Sequence, residues 1–227
     1  MMTTWIKVAR YHLVDPIAYL VGPWAVLAVV FLINVVITVA QGGPNPTKAL
    51  AIFYLYFAAL GMLSIGRSLP FGLALSVSRR SYYAGTALLV GCLAAVDGLA
   101  LALLQAVERA TGGWGMRLHF FQISSILSGP WYLTWLTSSV ALAAVFVYGT
   151  YYGLIYRRWS RFGLVAFIII QIAVIRGGIA VGSGAHPWTA FGHFFGTLTS
   201  IEMTGMLAAM LGILLIGGFA LMRRVSV

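Results

Sequence analysis

A chain of 227 residues that is 61% hydrophobic and 8% charged, with a mean hydropathy of +0.97, excludes a soluble globular domain. Its fourteen Lys and Arg against four Asp and Glu give a net charge of +10, and they flank apolar runs, a pattern of the cytoplasmic membrane face and not of nucleic-acid binding. The single cysteine, Cys92, lies in an apolar run and excludes an internal disulfide or a cysteine metal cluster.

Residues 3–14, TTWIKVARYHLV, place Lys7 and Arg10 on one helical face and Trp5, Val8, Ala9 and Leu13 mostly on another. Residues 1–15 are therefore expected as an interfacial helix lying along the membrane. The apolar run that follows is a full span without a small-residue cleavage site, so it reads as a retained anchor. Asp15 and Pro16 open span one, 16–40, with Pro23 a site for a kink. The stretch QGGPNPT, 41–47, is a tight outer turn, and span two is expected over 48–66.

The next stretch, RSLPFGLALSVSRR, has polar ends and an apolar middle. One helix from Lys48 to Val77 would be about 45 Å long, against a hydrocarbon core of roughly 30 Å. Arg67 carries a charge and Pro70 lacks the backbone donor that a continuing helix needs. Two readings fit: a short separate helix over 67–81 beneath the membrane, or a kinked, tilted span anchored by its arginines.

Span three is expected over 82–107, interrupted only by Asp97, and the TGGWG-containing segment from Glu108 to Pro130 as an outer loop. Span four, 131–155, ends at YRRWSR, where Arg157, Arg158 and Arg161 form a basic turn. Span five, 162–181, carries Arg176, and span six, 203–222, closes on Arg223 and Arg224. In 182–202, Trp188, Phe191, Phe194, Phe195 and Leu198 recur at helical spacing after Pro187, opposite Gly192, His193, Gly196, Thr197 and Thr199. This segment either re-enters the outer leaflet or forms an interfacial aromatic belt. With both termini in the cytoplasm, Lys7, Arg10, Arg79, Arg80, Arg157, Arg158, Arg161, Arg223 and Arg224 lie inside and only Lys48, Arg109 and Arg117 outside, the orientation of a multi-pass cell-membrane protein.

Catalytic chemistry finds little support. The only lysines, Lys7 and Lys48, lack a glycine-rich phosphate loop, so no nucleotide site is encoded. Ser183 has Val181 where an intramembrane protease motif needs glycine, no HExxH occurs, and the acids are too scattered for acid–base work. His186 and His193, near Glu202, read as hydrogen-bonding residues and not as metal ligands. Asp97 and Arg176 each lie about 21 to 23 Å along their spans from the basic end. A lone charge at that depth is costly, so the two are expected either to pair, tying span three to span five, or to line a polar path. Asn34, Gln105 and Gln171 are further polar residues for an interior face.

The order of parts resembles the six-span permease subunits of ABC exporters of the second (type V) class, and Leu69 to Gly85, LPFGLALSVSRRSYYAG, is similar to that family's cytoplasmic segment between spans two and three. The resemblance implies an all-α membrane fold with a coupling helix over 67–81 that seats in a separate ATP-binding subunit through Leu69, Pro70, Phe71, Leu75, Ser78, Arg79 and Arg80. It makes Arg157, Arg158 and Arg161 a second contact with that subunit, and 182–202 an outer gate. It further implies a second permease subunit, identical or related, and ATP with Mg in the partner ATPase but no cofactor in this chain. The competing expectations are a vitamin-binding-like substrate-capture subunit of an importer, which needs no broken coupling helix, an integral membrane enzyme, and a channel or scaffold.

Overall fold

The computed structural model describes residues 17–42, 45–47, 49–65, 78–122, 130–183 and 198–224. Residues 1–16, expected as an interfacial helix, lie outside them. Helix α1 spans Ile17–Gln41, a wide first turn at Ile17–Val21 leading into regular helix at Gly22. Pro23 falls where the wide turn at Ile17–Val21 gives way to regular helix, the place where a proline's missing N–H interrupts the helical ladder. Gly42, at φ 65°, takes the left-handed conformation and donates its N–H to the Thr38 carbonyl, which stops α1.

Helix α2, Ala51–Leu63, is shorter than the 48–66 span expected. Thr47 Oγ1 accepts from the Ala49 N–H and holds 49–50 as a turn, while at the far end two residues widen the helix and Ser64 Oγ donates to the Gly61 carbonyl. Thirteen residues rise only about 20 Å. Helix α3, Arg79–Ala110, is longer than expected at both ends. Ser78 caps it, accepting from the Ser81 N–H at 3.1 Å and donating to the Ser81 hydroxyl at 2.8 Å.

Residues 131–183 run on as helix with one break at Ser160, whose φ 56° and ψ −155° no regular helix contains. The break divides the run into α4, residues 131–159, and α5, residues 161–183, and falls inside the YRRWSR turn expected between spans four and five. The last helix, α6, is Ser200–Arg224. Its start is a reciprocal cap: the Thr199 N–H and hydroxyl donate to Glu202 Oε2, and the Glu202 N–H donates to Thr199 Oγ1. Two residues at each of two loops, β1 (Asn45–Pro46) and β2 (Leu118–His119), pair in parallel and are the exception to an all-helical chain among the described residues.

Among the described residues, four helical runs are long and apolar enough to cross a membrane: Ile17–Gln41, Arg80–Ala110, Trp131–Val174 with its break at Ser160, and Ser200–Leu221. The core forms where α2, α3 and α4 meet, around Phe53, Phe57, Leu60, Leu93, Leu142 and Phe146. Glycines set the closest approach. A Cβ on Gly61 of α2 would collide with the Phe146 carbonyl, and one on Gly149 of α4 with the Ala58 carbonyl, so the two backbones touch. Gly149 and Gly153 form a small-x-x-x-small stripe of the kind that lets membrane helices pack without side chains between them. Helix α6 is fastened by Tyr83 and Tyr151, which donate to the carbonyls of Leu215 and Leu214, and by a 2.6 Å hydroxyl pair between Thr137 and Thr204. Helix α5 is held at Tyr152, whose hydroxyl donates to Gln171 Oε1 and whose ring meets Phe167; Phe162, Val165, Ile169, Ile172 and Val174 face outward.

Candidate functional site

The two arginine groups singled out in the sequence lie at one end of the bundle. The Tyr82 hydroxyl, buried at the start of α3, donates to the Ser64 carbonyl at 3.0 Å. In a continuous helix those residues, 18 apart, would be separated by about 27 Å along the axis. No single straight helix therefore joins Ser64 to Tyr82. From α4, Arg157 Nη1 reaches the Ile65 carbonyl at 3.5 Å. The carbonyls of Ser64 and Ile65, just past α2, thus accept from a phenol and a guanidinium, and the guanidinium also complements the negative end of the helix dipole.

Around this junction Arg80, Arg158 and Arg161 are exposed and Arg157 is partly buried, with the Arg158 guanidinium 4.7 Å over its neighbour Trp159. Arg79 begins α3, and Arg223 and Arg224 end α6. No described acid sits at this end. The flanks of 66–77 both belong to the junction, but Leu69, Pro70, Phe71 and Leu75 lie outside the described residues, as do Trp188, Phe191, Phe194 and Phe195 of the expected outer gate. Leu198 is described, half-buried just ahead of the α6 cap.

No protein-family model, curated protein or solved structure matches the chain. The site therefore stands on its own geometry.

At the opposite end the organising group is Glu108, 1% exposed, where the sequence suggests only the first residue of an outer loop. Its Oε2 accepts from Trp114 Nε1 at 3.1 Å, the Phe120 N–H at 3.0 Å and the Phe121 N–H at 2.8 Å, while Oε1 accepts from the Gln122 N–H at 3.1 Å. A carboxylate satisfied by four N–H donors needs no cation beside it. The loop closes over it as an aromatic cluster in which Phe31 of α1 packs on Trp114, Phe120 and Phe121. The β1–β2 pairing and a bond from the Thr47 N–H to the His119 carbonyl tie this loop to the link between α1 and α2.

Between the two ends the expected pairing of Asp97 with Arg176 is replaced. Asp97, 5% exposed, accepts a 2.9 Å bond on Oδ1 from Trp24 Nε1 of α1, and its Oδ2 has no partner among the described residues. Trp24 is steered there by an edge-on contact with Phe53 of α2. Arg176 is exposed on α5, which is held to α4 through Tyr152 and Gln171. Asp97 ties α3 to α1. Of the other polar residues marked from sequence, Asn34 donates to the Val30 carbonyl of its own helix, Gln171 serves as the acceptor for Tyr152, and Gln105 is buried with Nε2 unpartnered among the described residues.

Proposed function

We propose that the chain is the membrane permease subunit of an ATP-driven exporter, working as one of a pair and driven by a separate ATP-binding subunit. The observation that carries this reading is the junction where α2 ends and α3 begins: no single straight helix joins the two, and Tyr82 meets Ser64 and Arg157 meets Ile65 amid exposed arginines and no described acid. That geometry leaves 66–77 as a connection at the basic end, where a coupling helix would meet a soluble partner. A substrate-capture subunit has no need of such a break.

In this reading α1 to α6 are six spans with both termini on the cytoplasmic side, α2 crossing together with its flanking turns. Closure of the nucleotide-bound ATPases draws the 67–81 segments together. The pull passes into α2 through Ser64 and Ile65, into α3 through Tyr82, and into α4 through Arg157, because those bonds fasten the three helices where the force enters. The backbone contact at Gly61 and Gly149 makes α2 and α4 move as a pair.

Affinity purification of the full chain from its native membranes tests the reading. An ABC-type ATPase is expected to be recovered with the wild-type chain and lost with the Arg79→Glu, Arg80→Glu double variant. Recovery of no ATPase, or undiminished recovery with the double variant, would sink the proposal.

A further inference from the structure

Arg176 lies fifteen residues beyond Arg161, so it is about 22 Å along α5 from the basic end, in the far half of a hydrocarbon core roughly 30 Å thick. Its side chain is exposed, and the residues on its face, Ile169, Ile172 and Ala173, are exposed and apolar. A guanidinium stays charged in any environment and does not face lipid tails alone. Its counter-charge has to come from somewhere.

The chain has four acids to offer, in this copy or in a second one. Asp97 is buried on Trp24, and its free oxygen is closed to any outside group. Glu108 is buried and holds four N–H groups. Glu202 holds the start of α6 through Thr199. Asp15 precedes α1 by two residues in the sequence, and the contacts described for α1 are to α2, to α3 through Trp24, and to the loop at Trp114. Beside Arg176, a Cβ built on Gly177 would meet nothing within 4 Å, so the approach to the guanidinium is open.

We infer that Arg176 binds a phosphate-type oxyanion from outside the chain, so that the permease proposed above serves an anionic, phosphate-bearing molecule. This deepens the permease reading and rests on it in taking α5 as a membrane span. The planar guanidinium fork matches two oxygens of a phosphate, and in the low-dielectric surroundings of the bilayer such a bond is stronger than at a water-exposed surface. The same chemistry is offered by the headgroup of an anionic lipid and by a soluble phosphate compound.

The test uses the purified full chain in detergent, without any ATPase, and reads retention of added phosphatidylglycerol against phosphatidylcholine by native mass spectrometry. Wild type is expected to keep phosphatidylglycerol preferentially, and Arg176→Gln to keep it about tenfold less well, while Arg158→Gln at the basic end has a smaller effect. Displacement by excess inorganic pyrophosphate, with a rise in Tm on adding it alone, assigns the site to a soluble phosphate compound. Retention that pyrophosphate does not displace assigns it to a lipid headgroup. Should Arg176→Gln fail to accumulate, Ala173→Cys in a Cys92→Ala background is folded first and then capped with a bulky neutral maleimide, which blocks the guanidinium from one turn away and should cause the same loss. Equal retention in wild type and the blocked or substituted chain, with no pyrophosphate effect, overturns the inference. So does increased retention in Glu202→Gln, which would mean that Arg176 was already answered by Glu202. Failure to recover an ATPase in the copurification would remove the permease reading and leave these binding results standing.

Discussion

Single residues carry more of this structure than their positions in the sequence suggest. Glu108 follows an apolar run, where an acid ordinarily marks the exit to water, and its actual partners return 12 to 14 residues later as backbone N–H groups that no local pattern records. Glu108→Ala is expected to leave those donors facing no acceptor and to lower stability by on the order of 3 kcal/mol, read as a drop in Tm of the detergent-solubilised protein. Glu108→Gln should be nearly as damaging, because its amide nitrogen would face donors; a Tm equal to wild type in both would show that the loop does not depend on the carboxylate. Ser160 is a second such residue. Its φ of 56° with ψ of −155° is a conformation that glycine enters freely and a branched side chain resists. Ser160→Gly should raise Tm slightly or leave it unchanged, and Ser160→Val should lower it by about 1 to 3 kcal/mol equivalent, with α4 and α5 forced toward a straight rod.

At the scale of helices, the sequence was most legible where a break is chemical. Gly42, in the glycine-rich turn read from sequence, stops α1, and the YRRWSR turn holds the break between α4 and α5. It was least legible where length is decided by contact. Helix α2 begins late because Thr47 holds 49–50 as a turn, and α3 begins early because Ser78 caps it ahead of the apolar run. Hydropathy counts residues but cannot see which helix presses on which. The Gly149–Gly153 stripe was readable and was overlooked; the close α2–α4 contact is what it signalled. Gly149→Leu is expected to force those helices apart and to abolish monodisperse folded protein in size-exclusion chromatography, whereas Gly91→Leu on α3, where a Cβ meets nothing within 4 Å, should be tolerated. Tyr82→Phe removes only the hydroxyl that holds α3 to the Ser64 carbonyl. A loss of about 1 kcal/mol in stability, measured by thermal unfolding, is expected from it.

For the whole molecule, the membrane class followed directly from composition, and the candidate site only in part. Arginines gathered at one end were visible as runs in the chain. The binding of Asp97 by Trp24 was not, because 73 residues separate them and only the packing of α1 against α2 and α3 brings them together. A topology with Arg80 and Arg157 on one side and Thr47 and Met116 on the other makes a direct prediction. In a Cys92→Ala background, cysteines at Thr47 and Met116 should react with a membrane-impermeant maleimide added outside intact cells, and a cysteine at Arg80 only after lysis. Labelling of all three from outside would reject the arrangement.

The parallel pairing of Asn45–Pro46 with Leu118–His119, clamped from within by Glu108, welds the far ends of α1, α2 and α3 into one plate. A push on any one of these three helix ends is therefore carried to the other two.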